Sequence, residues 1–110
     1  MTEETLFAEL IKDLSPFDRA LVFALEELRA RQGTMTLKTS RFELCRLLRL
    51  EYNPENVMKL EQSLEHLAKT PLYSMDQGHG FAIATKAITK YYQEGDTEKL
   101  IISLGKLFAI

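Results

Sequence analysis

Ser40-Arg41-Phe42-Glu43-Leu44-Cys45-Arg46-Leu47-Leu48-Arg49-Leu50, then Glu51-Tyr52-Asn53-Pro54, then the run from Glu55 to Lys69: this stretch decides how the chain is read. Ser40-x-x-Glu43 has the form of a capping box, in which a hydroxyl and a carboxylate satisfy free N–H groups at a helix start. It predicts a helix through Leu50, with Leu44, Leu47 and Leu48 toward a core. Asn53-Pro54 repeats the logic: a capping side chain, then a residue whose fixed φ suits the first helical position. The helix that follows is expected from Glu55 to about Lys69, with Val57, Leu60, Leu64, Leu67 and Ala68 on its buried stripe. About three residues then separate the two helices, short enough for a helix-turn-helix.

Toward the N-terminus, Leu6, Phe7, Leu10, Ile11 and Leu14 recur at one-turn spacing and predict a helix from about Glu3 to Asp13. Ser15-Pro16-x-Asp18 opens another, since Ser15 caps, Pro16 starts the helix and Asp18 complements its positive end. Phe17, Ala20, Leu21, Ala24, Leu25 and Leu28 line one face until Gly33 stops it. Thr34 to Leu37 alternates and reads as a short strand. After Thr70-Pro71 the periodicity changes. Leu72–Met75 and Phe81–Ala84 read as a hairpin around the turn residues Asp76 to Gly80. Ile88–Tyr92 and Leu100–Leu104 read as two further strands, joined by the turn 93–96. The expected fold class is therefore α+β: four helices followed by antiparallel strands, in the order of a winged helix with an extended wing. Residues 1–110 are expected to form one domain.

Composition narrows the function. The chain is 45% hydrophobic and 27% charged, enough to bury a core and keep a polar surface. No stretch approaches the roughly 20 apolar residues that span a bilayer. The start Met1-Thr2-Glu3-Glu4 is acidic where a secretory signal is basic. A single cysteine, Cys45, fits a reducing compartment. A cytoplasmic protein without a membrane partner is expected. The net charge of −2 excludes an indiscriminate polyanion binder, but the charge is uneven. Residues 1–32 carry seven acids and four bases, whereas residues 38–50 carry Lys38, Arg41, Arg46 and Arg49 against Glu43.

Catalytic chemistry has no candidate. His66 and His79 are far apart with no partner at metal-ligand spacing. No glycine-rich phosphate loop is present. Cys45 reads as a small core residue, and Ser15 and Ser40 as caps. No enzyme, cofactor or small-molecule substrate is expected. Advancing about 100° per residue along Glu55–Lys69 puts Glu55, Lys59, Gln62, His66 and Lys69 opposite the leucines, with Asn56 on a flank. A helix entering a major groove needs such a face, rich in donors and free of a carboxylate wall. Arg46 and Arg49 lie away from the leucines of the preceding helix, with Lys38 and Arg41 near its start, where phosphates would be met. The wing could add His79, Lys86 and Lys90. Arg46, Arg49, Lys59 and His66 are expected in water on one shared side.

The run Arg41-Phe42-Glu43-Leu44-Cys45-Arg46-Leu47-Leu48 also resembles the "R-x-E-L-C-R-L-L" stretch of bacterial plasmid replication initiators of the initiator protein A type. Lys59-Leu60-Glu61-Gln62-Ser63-Leu64-Glu65-His66-Leu67 is similar to that family's "R-L-E-E-A-L-E-R-L", and Lys69 to Ser74 to its Thr-Pro step into a strand. The resemblance covers about residues 15–110 and departs at Glu51-Tyr52-Asn53-Pro54, where the family has a glycine-rich step. It implies a winged-helix domain that binds origin double-stranded DNA and takes part in self-association, with a homodimer as partner state. It also implies that these residues are the N-terminal domain of a longer initiator. The competing expectation is the same fold used mainly for dimerisation or protein interaction, through Phe7, Ile11, Met58 and the final strand.

Overall fold

The computed structural model describes residues 3–76 and 81–109. Helix α1 spans Glu3–Ile11, α2 Pro16–Gln32, α3 Arg41–Leu47 and α4 Pro54–Lys69. Strand β1 (Thr36–Ser40) lies between α2 and α3. Strands β2 (Leu72–Asp76), β3 (Phe81–Thr85), β4 (Ile88–Gln93) and β5 (Lys99–Leu104) follow α4, and a 3-10 helix covers Lys106–Ala109.

The caps form where the sequence places them. Ser15 Oγ accepts the Asp18 N–H at 3.1 Å, Ser40 Oγ the Glu43 N–H at 3.0 Å, and Asn53 Oδ1 the Asn56 N–H at 2.8 Å. The Ser40 box is half-formed: the Glu43 carboxylate accepts the Thr39 hydroxyl at 2.6 Å. Helix α2 ends at Gly33, whose φ of 66° is the left-handed conformation that a Cβ disfavours.

Two boundaries and one buried face differ from expectation. Strand β1 starts two residues later than Thr34, because the Thr34 hydroxyl accepts the Thr36 N–H at 3.2 Å and holds a turn. Pairing with β5 then sets the register from Thr36↔Ser103 to Ser40↔Lys99. Helix α3 stops at Leu47, so six residues, 48–53, separate it from α4. On α2, Val22 is buried, while Ala20 falls at the edge of the stripe and is exposed.

The strands form two antiparallel sheets, β1-β5-β4 and the separate hairpin β2-β3. The β4–β5 hairpin therefore extends β1, and β2–β3 is a separate hairpin that follows α4 in sequence. In β4 the register shifts between Ile88 and Lys90, and the Thr89 hydroxyl donates to the Ser103 carbonyl at 3.1 Å. Gly105 follows β5 because a Cβ there would lie 2.0 Å from the Lys86 carbonyl oxygen. The outer edge of β1 is closed by Gln32: its amide accepts the Lys38 N–H at 3.0 Å and donates to the Lys38 carbonyl at 2.8 Å. That removes a free hydrogen-bonding edge at this position.

One core joins the layers. Leu21 and Leu25 of α2, Leu44 of α3, and Leu60, Leu64 and Leu67 of α4 meet Leu37, Ile88, Leu100 and Ile102 of the sheet, all fully buried. Leu10 and Ile11 of α1 join from one side, and Leu107 and Phe108 close the end. Cys45 is buried in this core, and burial pushes its thiol pKa up. No helix among the described residues is long and apolar enough to cross a membrane.

Candidate nucleic-acid interface

Helix α3 ends in an unusual way for its sequence. The Leu50 N–H reaches back to the Cys45 carbonyl at 2.8 Å, and the Arg49 N–H to the Arg46 carbonyl at 3.0 Å. This is the Schellman pattern, which needs a left-handed residue at the position after the cap. That residue is Arg49, with φ 59°, the one non-glycine residue of positive φ among the described residues. The sequence reading continued the helix through Arg49 because no glycine marks the stop. The core explains the turn: reversing the chain there lets Leu47, Leu48 and Leu50 pack against it.

The predicted side chains divide into three groups. Lys38, Arg46 and Arg49 are exposed, and their side chains have no ion-pair or hydrogen-bond partner among the described residues. Arg46 and Arg49 share a cleft of about 300 Å³ with Glu27 and Arg31 of α2 and with Glu43 and Leu47 of α3. Arg31 is paired with Glu27 at 2.5 Å and Glu43 with Thr39, so the two carboxylates of this cleft are engaged elsewhere.

The second group lies on α4, where each lysine carries an acid. Lys59 lies 3.7 Å from Glu55 and Lys69 2.5 Å from Glu65, each one turn away. The Lys69 contact holds the Glu65 carboxyl below its usual range and raises the lysine. His66 Nδ1 meets Asp18 Oδ2 at 2.6 Å, leaving the ring half-exposed. Gln62 is exposed. Lys59, Gln62 and His66 line a cleft of about 350 Å³ with Ser15, Phe17, Asp18 and Ser63.

The third group is structural. Arg41 is largely buried, ion-paired with Glu61, and donates to Gln93 Oε1 at 3.1 Å. This anchors α3 to α4 and β4 instead of facing a phosphate. Asn56 is half-buried and donates to the Glu51 carbonyl at 2.8 Å, bracing the turn before α4. His79 lies outside the described residues. Lys86 and Lys90 are exposed, but the tip of the β4–β5 hairpin carries Glu94, Asp96 and Glu98, all exposed. Three carboxylates there repel a phosphate backbone.

The groups expected on one shared side line two separate clefts, each against a different part of α2. Asp18 and Glu27, which mark them, are nine residues apart, roughly 13 Å along the helix at 1.5 Å per residue.

Two further features escaped the sequence reading. Asp18 is 7% exposed, and its carboxylate also accepts the Ser63 hydroxyl at 2.5 Å, so one buried acid ties α2 to two residues of α4. Its position at a helix start explained it locally and hid this role. Phe42 and Tyr52, both exposed, pack edge-on with ring centroids 5.5 Å apart and planes at 77°. Their spacing in sequence gives no sign of contact, because the Arg49 reversal creates it. Among the described residues no group of three or more His, Cys, Asp or Glu could hold a metal ion.

Comparison with known proteins yields no matching family model and no matching curated protein. Among solved structures, the chain is similar to the crystal structure of the WH1 domain of MSBI1.176, a replication protein isolated from a multiple sclerosis patient. The TM-score is 0.54 at 13% sequence identity, covering 93% of this chain and 82% of that one. The likeness is one of fold: four helices with antiparallel strands, as in the winged-helix domain of that replication protein.

Proposed function

We propose that this chain is a DNA-binding winged-helix domain acting in replication, the N-terminal domain of a plasmid-type initiator that meets duplex DNA of the origin through α3 and α4. The observation that carries the reading is the pair Arg46 and Arg49. Both are exposed without a carboxylate partner among the described residues, although two carboxylates line the same cleft. Uncommitted guanidinium groups suit phosphate oxygens, which they bind in a bidentate manner. The strained backbone of Arg49 supports it too, since a non-glycine residue kept at positive φ is a feature of functional positions.

In this reading Arg46, Arg49 and Lys38 hold phosphates, and α4 offers Gln62 and His66 to base edges. A Gln amide matches the donor–acceptor pair of adenine. Lys59 and Lys69 contribute less, because each already faces a carboxylate.

Titration of a labelled duplex at increasing salt tests the assignment, because each phosphate neutralised releases counterions. The double variant Arg46→Ala/Arg49→Ala is expected to flatten the slope of log affinity against log salt by about two. Lys59→Ala/Lys69→Ala is expected to flatten it less. An unchanged slope in the arginine variant refutes the reading.

A second reading, a dimerisation or protein-interaction module, is favoured by the groove between α1 and α2. It is lined by Ala8, Lys12, Pro16, Arg19, Ala20 and the exposed Phe23; Ile11, expected to form such a contact, is buried, and the final strand is the middle strand of its sheet. Sedimentation at several concentrations separates the two: a tight dimer without duplex affinity selects the second.

A further inference from the structure

We infer that the outward stripe of α3 is also a stacking platform for unpaired bases, so that the domain holds single-stranded as well as duplex nucleic acid. The inference rests on the phosphate-binding reading of Arg46 and Arg49 and adds a ligand state to it.

The stripe follows from helix geometry. At about 100° per residue, Arg46 lies roughly 40° from Phe42, while Leu44 lies on the opposite side. Leu44 and Cys45 are fully buried and Phe42 is 57% exposed, so Phe42 and Arg46 share the solvent side. The left-handed turn at Arg49 then brings Tyr52, 43% exposed, edge-on against Phe42. Edge-on packing sets the edge of one ring against one face of the other, and both residues keep a large exposed area, 57% for Phe42 and 43% for Tyr52. Phe42 thus stands in water one helical turn from Arg46, which shares a cleft with Arg49, and neither arginine has a carboxylate partner among the described residues.

Charge and shape select the occupant. Free guanidinium groups beside the rings favour a polyanion over an apolar peptide, which would leave them unmatched. A duplex satisfies the arginines but not the rings, because its base faces are stacked inside the helix. An unstacked strand offers both, phosphates to the arginines and base faces to Phe42 and Tyr52. Such stacking tolerates any sequence and is worth enough per base to be measured by alanine substitution.

The test uses the whole chain, fluorescence anisotropy, and two probes at one salt concentration: a labelled oligothymidylate of about sixteen nucleotides, and a labelled duplex. Wild type binds both. Phe42→Ala and Tyr52→Ala are each expected to weaken oligothymidylate binding about tenfold and to leave duplex binding unchanged. Phe42→Tyr and Tyr52→Phe are expected to keep it, which guards against a folding artefact, as do unchanged circular dichroism and Tm. Arg46→Ala/Arg49→Ala weakens both probes. If the aromatic-to-alanine variants lose nothing on oligothymidylate, or lose equally on the duplex, the platform is refuted while the phosphate reading stands. If Phe42→Ala instead abolishes a self-associated species in sedimentation with oligothymidylate affinity intact, the stripe is an interface between copies and the inference fails. Binding of neither probe overturns both readings.

Discussion

Helices α3 and α4 are consecutive, begin with the same kind of cap, and treat their cations differently. On α4 each lysine is met within the fold, Lys59 by Glu55 and Lys69 by Glu65, and the His66 ring meets Asp18. On α3 and the turn after it, Arg41 is met by Glu61, but Arg46 and Arg49 are left in water. Length accounts for much of this. Helix α4 spans 16 residues, enough for acids one turn from its lysines. Helix α3 spans seven, and its one acid, Glu43, is taken by Thr39. The difference teaches where to look for affinity. A cation already paired must give up its partner to bind a phosphate, whereas an unpaired one does not.

The contrast can be broken most strongly at Asp18. Asp18→Ala removes the acceptor of both Ser63 and His66 and leaves the buried Ser63 hydroxyl unsatisfied. A loss of about 1–3 kcal/mol is expected in urea unfolding, and α4 should detach first, seen as faster amide exchange there than in the sheet. Loss of protection spread evenly over the molecule would show that the tie is not specific to α4.

A smaller effect of opposite sign is expected at Arg49. Arg49→Gly relieves the left-handed strain and should stabilise the fold by about 1 kcal/mol. The same change should lower the salt slope of duplex binding by about one. Stability and binding thus move in opposite directions, the mark of a residue kept for its side chain against the preference of its backbone. A substitution that destabilises would mean that the guanidinium has a structural partner.

The smallest effect belongs to the α4 surface. The Glu65 carboxyl is held below its usual value by Lys69. Its contribution is therefore present above the unfolded pKa and is lost as pH falls through the lowered folded value. Glu65→Gln should change Tm slightly at neutral pH and not at all at pH values where the wild-type carboxyl is already protonated. A difference that persists in acid would assign the effect to packing against Tyr91 instead.

The helices were legible because their signals are local. Ser15-Pro16, Ser40-x-x-Glu43 and Asn53-Pro54 each act within one turn, and the leucine spacing of α4 matched its buried side closely: Leu60, Leu64 and Leu67 are all buried. The end of α3 was not legible, because Arg49 is a poor left-handed residue and only packing of the flanking leucines makes it turn. The hairpin of Leu72–Met75 with Phe81–Ala84 forms as read, but that it stays apart from the sheet was not legible, because pairing to β1 is a long-range choice made by β5. Among the site residues, the exposure of Arg46, Arg49, Lys59 and Gln62 could be read from periodicity. The engagement of Arg41 with Glu61, twenty residues away, and of His66 with Asp18, 48 away, could not.

The amino-acid order by itself determined which segments are helical, which faces carry leucine, and where the positive charge is concentrated, since each depends on neighbours within a few residues. Folding in three dimensions settled which cations remain free, which strands join β1, and that the Phe42 and Tyr52 rings meet. Those outcomes depend on which distant groups are brought within a few ångströms, and burial of one shared core sets that.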